Sequence, residues 1–119
     1  MGKRSKTLTA MSLVTGLLAA CSGDLVTGGE LIRPGEPTGI IEVVNDTSTS
    51  FVAVLISACD VGSYGLNRLP RGRSIPPGGS YVFKVSAGCW DVDAGDGRGE
   101  ARKRMQVPAG GGVSYHVTG

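Results

Sequence analysis

Short segments of alternating apolar and polar residues, separated by turns rich in glycine and proline, fill this chain from residue 39 onward. The clearest unit starts with Pro-Pro-Gly-Gly at residues 76–79, a run that interrupts any helix. Residues 80–86 follow with a period of two, which indicates a half-buried β-strand. The side chains on its apolar face are Tyr81, Phe83 and Val85. A content of 20 glycines and 5% aromatic residues fits short strands and many turns better than long helices.

The same pattern predicts six strands. They cover residues 40–44, 51–58, 80–86, 89–94, 101–107 and 113–117. The second segment is a continuous apolar run, FVAVLISA, which favours a buried central strand. Strands at this spacing are typical of a small all-β fold, an antiparallel β-sandwich or barrel. Because short turns join the last four strands, we expect those four to form an antiparallel meander.

The first twenty residues have the composition of a secretory signal. Residues 1–6 carry three basic side chains and no acidic one, and residues 8–20 carry no charge and are mostly apolar. Such a run is too short to serve comfortably as a permanent membrane span. It ends in Leu18-Ala19-Ala20-Cys21, which resembles the lipobox of bacterial lipoprotein precursors. An ordinary signal peptide followed by a chance cysteine is the alternative.

The lipobox resemblance implies a processed and lipidated protein. Residues 1–20 would be the signal peptide, a helix that is removed, and Cys21 would become the first residue and carry a diacylglyceryl group and palmitate-type chains. Two or three acyl chains give stable membrane attachment. Ser22 stands where similar lipoproteins kept in the inner membrane tend to have Asp. The resemblance therefore favours the outer membrane of the cell envelope.

A tether and one folded domain follow the leader in this interpretation. Residues 21–38 are rich in glycine and proline and show no regular period, so we expect a flexible, lipid-anchored tether that spans about 20–25 Å. Docking of Leu31 and Ile32 as a short edge strand is the alternative. Residues 39–119 form the expected β-sandwich domain.

Cys59 and Cys89 remain as a pair if Cys21 carries the lipid. The envelope is oxidising, so we expect a disulfide, which would stabilise a small domain by about 3–4 kcal/mol. Two free thiols and a redox or metal-binding pair are the alternatives, although the spacing is far from C-x-x-C.

A second resemblance covers residues 40–117. Its motifs are Val43-Val44-Asn45-Asp46, Val54-Leu55-Ile56-Ser57, Tyr64-Gly65-Leu66-Asn67-Arg68-Leu69, Ile75-Pro76-Pro77-Gly78-Gly79-Ser80 and Ala87-Gly88-Cys89-Trp90-Asp91-Val92. Together they are similar to a recurring, poorly characterised bacterial envelope domain, in which Trp-Gly is common where this chain has Tyr64-Gly65. The resemblance implies a secreted and often lipidated β-sandwich with no established catalytic residues.

Four groups of polar residues are candidate sites. The acidic group Asp91, Asp93, Asp96 and Glu100 offers oxygens for calcium, but its spacing departs from an EF-hand, and a hairpin turn explains it as well. Ser114 and His116 share a strand face without a nucleophile elbow or a second histidine. Two basic groups fit anionic lipid headgroups, an acidic partner or solvated surfaces. Their members are Arg68, Arg71 and Arg73, and Arg98, Arg102, Lys103 and Arg104.

Charge and the absence of a catalytic pattern direct the functional hypothesis. Loss of Lys3, Arg4 and Lys6 with the signal lowers the basic count from 12 to 9, against 10 acidic residues, which argues against nucleic-acid binding. We expect a non-enzymatic binding or structural module of the envelope, attached to the membrane through Cys21, with an envelope protein as its partner. We expect no cofactor, metal or small-molecule substrate. One alternative is an inhibitor of a host or rival enzyme such as lysozyme or a protease, acting through residues 59–75. Another is a carbohydrate or peptidoglycan binder that uses the aromatic residues Tyr64, Tyr81, Trp90 and Tyr115.

Overall fold

The computed structural model describes residues 29–96 and 100–119. This part of the chain contains six β-strands and no helix. The strands are β1 Thr38–Asp46, β2 Ala53–Ala58, β3 Ser80–Ser86, β4 Gly88–Gly95, β5 Glu100–Val107 and β6 Gly112–Thr118. All six predicted strands are therefore confirmed, with ends that differ by up to two residues.

The strands form two three-stranded sheets, ordered β3-β1-β6 and β2-β4-β5. In the first sheet β1 pairs antiparallel with β3, placing Ile41 opposite Phe83, and parallel with β6. In the second sheet β4 pairs antiparallel with both neighbours, and Val92 lies opposite Ile56 of β2. The all-β sandwich with mostly antiparallel pairing is confirmed, and the β1–β6 pair is its parallel exception.

The core lies between the two sheets, where each strand contributes every second side chain. Ile41 and Val43 of β1 are fully buried, as are Val85 of β3 and Trp90 and Val92 of β4. The predicted apolar face of β3 is thus confirmed, with Phe83 and Val85 buried and Tyr81 half-buried. Lys103 alternates along β5 with the buried Met105 and Val107 but is itself exposed, and it places its ammonium 5.7 Å from the ring centroid of Tyr115.

Two expectations about strand position were wrong. The strand β2 lies at the edge of its sheet and not at the centre. The strand is nevertheless covered at its free edge, because the loop that follows it forms an isolated bridge between Leu55 and Asn67. This cover explains why an edge strand has a continuous apolar sequence. The last four strands do not form a meander, since β4 and β5 are the one consecutive pair among them that shares a sheet.

The chain changes sheets between β3 and β4, and the hydrogen bonds at this corner explain why no hairpin forms. The N–H of Ser86 donates to Leu31 O (2.7 Å), and the N–H of Ala87 donates to Pro37 O (2.8 Å). The indole Nε1 of Trp90 donates to the carbonyl oxygen of Ser86 (2.7 Å). Since these groups have partners outside a hairpin, Gly88 (φ 136°) can redirect the chain into the second sheet.

Residues 29–37, hereafter the N-terminal segment, lie against the sandwich. Leu31 packs on the core, and the N–H of Arg33 donates to Ser86 Oγ (2.7 Å). Leu31 and Ile32 dock without forming a strand. These contacts differ from the expectation of a free tether over residues 21–38, because its described part belongs to the packed body. Residues 21–28 lie outside the described residues, as does the expected signal peptide.

Candidate functional site

Cys59 and Cys89 form a disulfide, with their Cα atoms 5.5 Å apart. Cys59 follows the last residue of β2 and Cys89 is the second residue of β4, and the N–H of Cys59 donates to Cys89 O (3.3 Å). The predicted pairing is confirmed. The disulfide thus joins the end of β2 and the beginning of residues 59–75, hereafter the long loop, to β4.

The long loop is fixed at three points beyond the disulfide. Leu69 and Ile75 are buried in the core, and Ile75 exchanges two backbone hydrogen bonds of 2.9 Å with Phe51. Asn67 Oδ1 accepts hydrogen bonds from the N–H groups of Val54 (2.9 Å) and Leu69 (3.1 Å). The loop is therefore an ordered layer along β2 whose turns reach solvent.

Arg68 lies where the long loop meets the N-terminal segment. Its Nε and Nη2 donate to Ile56 O at 3.1 and 3.0 Å, and Nη2 also donates to Gly29 O at 2.6 Å. Burial lowers the pKa of the Arg68 guanidinium, which still remains a cation at neutral pH. The sequence placed this arginine in a surface basic group. In the structure its guanidinium joins residue 29 to the edge of β2.

The other two arginines of that group behave differently. Arg71 is exposed at the tip of a turn that the Arg73 N–H closes on Pro70 O (2.9 Å). Gly72 takes φ 78° there, which suits the third position of a type II turn. Arg73 is also exposed and places its guanidinium 5.3 Å from the ring centroid of Tyr81.

The acidic group of β4 faces the arginines of β5. The register sets Asp91 opposite Arg104 and Asp93 opposite Arg102. Arg104 donates to both carboxylate oxygens of Asp91 at 2.8 and 3.1 Å, and this hydrogen bonding, followed by the charge of Asp91, raises the pKa of Arg104. Arg102 donates to Asp93 at 3.2 Å. The two carboxylates weighed as calcium ligands are therefore partnered by arginines.

Three members of the acidic and basic groups remain: Asp96, Glu100 and Arg98. Asp96 lines an open cleft of about 310 Å³ together with Thr47, Thr49 and Val117. The side chain of Glu100 and the whole of Arg98 lie outside the described residues. Within residues 29–96 and 100–119, no three His, Cys, Asp or Glu side chains come together in a way that could hold a metal ion.

Each of the four aromatic residues weighed as a sugar platform has a cation on its ring. Guanidinium groups lie 5.1 Å from the ring centroids of both Trp90 and Tyr64, the first from Arg33 and the second from Arg102. Tyr81 and Tyr115 have Arg73 and Lys103 in the same role. Trp90 is fully buried and the three tyrosines are half-buried. Burial, followed by the charge of Asp93, raises the pKa of the Tyr115 phenol.

Ser114 and His116 lie on the solvent face of the β3-β1-β6 sheet and bond to different carboxylates. Ser114 Oγ donates to Glu42 Oε1 (2.9 Å), and His116 Nδ1 lies 3.0 Å from Asp46 Oδ2. The hydroxyl proton of Ser114 is thus directed to Glu42, and the imidazole is paired with another acid. Ser114 and His116 therefore do not form a serine–histidine–acid relay.

A comparison of the chain with protein-family models finds no matching family, and a comparison with the curated proteins finds none that matches. No helix of the length and apolar character that spans a bilayer occurs among residues 29–96 and 100–119.

The strongest candidate for a functional surface is the exposed part of the long loop, since the disulfide, Asn67 and Arg68 hold it in a defined shape. The sequence identifies this loop but does not predict the contact between Arg68 and Gly29. The motif around Arg68 gives no signal for it.

Proposed function

We propose that this protein is a lipid-anchored lipoprotein of the bacterial envelope, whose β-sandwich is a non-enzymatic binding or structural module. The observation that carries the proposal is the leader that ends in Leu18-Ala19-Ala20-Cys21. The disulfide supports it, because it uses Cys59 and Cys89 and leaves Cys21 as the one other cysteine of the sequence. Disulfides are also typical of small exported domains and rare in the cytosol.

The contacts of the described residues support the non-enzymatic part. Catalysis by a serine needs a neighbouring base that a third group orients, as in a serine–histidine–acid triad. Here Ser114 bonds to Glu42, while Asp91 and Asp93 bond to arginines. Each of these groups fits the role of stabilising a sheet surface. The long loop is an ordered, exposed surface through which the domain would meet another component of the envelope.

The test is metabolic labelling with a palmitate analogue, followed by fractionation of the envelope. We expect the parent protein to be labelled and to sediment with the outer membrane. Cys21→Ser should be unlabelled and should leave the membrane, whereas the matched variant Ser22→Ala should behave like the parent. Label in the Cys21→Ser protein, or a soluble and unlabelled parent, would contradict the lipid anchor.

An enzyme inhibitor is the second candidate, and one observation favours it. Arg71 stands at the tip of an ordered turn within a loop that a disulfide holds at its first residue. Rigid presentation of a single side chain lowers the entropy cost of inserting a loop into an active site. Stoichiometric inhibition of lysozyme or of a trypsin-like protease, abolished by Arg71→Ala, would support this candidate. Full activity of both enzymes at excess domain would exclude them as targets. A carbohydrate site receives less support, because a cation already occupies the neighbourhood of each ring.

A further inference from the structure

The N-terminal segment leaves the described body beside the long loop. Gly29 O is bonded to Arg68, and Arg68 is bonded to Ile56 of β2, so residue 29 is held at one edge of the sandwich. Cys21 lies eight residues before Gly29. Eight residues span at most about 26–29 Å when fully extended. A lipid on Cys21 would therefore keep Gly29, to which Arg68 of the long loop is bonded, within about 29 Å of the headgroups.

The charge of this edge is suited to an anionic surface. Between Asp60 and the end of the long loop the sequence has no acidic residue, but it has Arg68, Arg71 and Arg73. Within the described residues neither Arg71 nor Arg73 takes part in an ion pair. Arg102 and Arg104 of β5, in contrast, are paired with carboxylates. The turn at residues 70–73 therefore presents two basic side chains that no carboxylate of the described residues pairs with.

Two exposed apolar side chains come from the same two segments. Leu66 of the long loop is 57% exposed and Ile32 of the N-terminal segment is 48% exposed. Apolar side chains beside basic ones are the composition that lies at the boundary between headgroups and acyl chains. Leu66, Arg71 and Arg73, with Ile32, are called the loop surface below.

We propose that the loop surface rests on anionic phospholipid of the membrane that carries the anchor. The inference rests on the proposed lipid anchor and deepens it by assigning the face of the domain that turns toward the lipid. Residues 29–36 and 59–75 together carry only one more basic than acidic residue, so the contact is weak by itself. Anchoring makes the contact intramolecular, and an effective concentration near millimolar is enough to populate a weak contact.

The test uses the mature lipoprotein purified from membranes, with acylation of Cys21 verified by intact mass. The protein is reconstituted into vesicles of phosphatidylcholine and into vesicles of equal parts phosphatidylcholine and phosphatidylglycerol. Hydrogen exchange of residues 66–74 should be slower in the anionic vesicles, and the difference should disappear at about 1 M salt, where the Debye length is near 3 Å. Arg71→Gln should raise the exchange rate in anionic vesicles roughly five-fold, because one basic side chain near an anionic surface contributes about that factor.

Lys84→Gln is the matched control, because it removes one exposed positive charge from β3 and leaves the loop surface intact. We expect it to exchange like the parent. Equal exchange in both vesicles, or an equal effect of the two variants, would overturn the proposal while leaving the lipid anchor in place. Protection in native membranes but in neither vesicle would also overturn it and would assign the loop surface to a protein partner. A chain without lipid on Cys21 would instead refute the proposed function itself, and this inference with it.

Discussion

Asn45 offers the sharpest test of how the sandwich is held together. The side chain is fully buried at the end of β1 and makes four hydrogen bonds. Its Nδ2 donates to Ile75 O (2.8 Å) and Thr49 O (2.7 Å). Its Oδ1 accepts from the N–H (2.9 Å) and the hydroxyl (2.6 Å) of Thr47. One amide thus joins β1, the turn that follows it and the end of the long loop.

Asn45→Asp keeps the shape of the side chain and removes both donors. At neutral pH a carboxylate oxygen would face the carbonyl oxygens of Ile75 and Thr49. Ile75 O keeps its bond from Phe51 N–H and Thr49 O keeps its bond from the Thr47 hydroxyl, so each lost bond costs about 0.5–1.5 kcal/mol. The buried charge, which faces two carbonyl oxygens, adds to this cost. We expect the free energy of unfolding to fall by at least about 3 kcal/mol, out of a total that is commonly 5–15 kcal/mol.

The loss should depend on pH in a defined direction. Burial and the facing carbonyl oxygens would raise the pKa of the new carboxyl in the folded state above its unfolded value of about 3.9. The protonated form can donate one bond, so the variant is closest to the parent below about pH 4. Its relative stability should then fall by about 1.4 kcal/mol per pH unit as the pH rises between the unfolded and folded pKa values.

The assay is urea unfolding of the exported chain without its lipid, followed by circular dichroism at several pH values with the disulfide intact. Asn67→Asp is the matched control, because Asn67 is exposed and its Nδ2 makes a single bond of 3.2 Å to Val52 O, while the bonds to its Oδ1 survive the change. We expect that control to cost about 0.5–1.5 kcal/mol. Equal losses for the two variants, or a loss at Asn45 that does not change with pH, would refute the reasoning.

Three further predictions concern the disulfide, the indole and the buried phenol. Replacing Cys59 and Cys89 together by alanine should lower the free energy of unfolding by about 3–4 kcal/mol in the same titration, and reductant should then have no effect on the variant. Trp90→Phe should lower the free energy of unfolding by about 1–3 kcal/mol in addition to the cost of the smaller ring, because the buried carbonyl of Ser86 loses its donor. Because the pKa of Tyr115 is raised in the folded state, its contribution to stability is present below the unfolded phenol value of about 10 and is lost as the pH rises further. Thermal melts across that range should show a smaller alkaline loss for Tyr115→Phe than for the parent, and identical losses would contradict the assignment.

The local features of the fold could be predicted from the sequence. Strand positions follow from the period of two in residues 80–86 and its neighbours, and turns follow from glycine and proline, because both depend on a few adjacent residues. The disulfide followed from counting cysteines, given the expected compartment. These predictions needed no knowledge of which strands become neighbours.

The arrangement of the strands depends on contacts between distant residues. Ser86 and Ala87 have turn-like neighbours in sequence, but their N–H groups bond to residues at least fifty positions away. Ser86 N–H donates to Leu31 O, and Ala87 N–H donates to Pro37 O. The turn after β5 likewise bonds to β1, where Ile40 N–H donates to Gly111 O (3.0 Å), and this leads β6 into a parallel pair. No local pattern reports either contact, so a hairpin was the natural and wrong expectation at both places.

The candidate surface was predicted in part. The sequence identified the long loop and its arginines, since a run without acidic residues is visible by inspection. It did not separate Arg68, which attaches Gly29, from Arg71, which faces solvent, because burial depends on the N-terminal segment. The pairing of Asp91 with Arg104 and of Asp93 with Arg102 required the β4–β5 register.

The lipid anchor on Cys21 is the central claim, and the intact mass of the protein extracted from the membrane fraction tests it most directly. Free thiols are alkylated before the measurement and no reductant is added. The account predicts a chain that begins at Cys21, is heavier by its acyl groups and carries no alkyl label, because the remaining cysteines form the disulfide. A soluble chain of unmodified mass, or one with alkylated thiols, would contradict it.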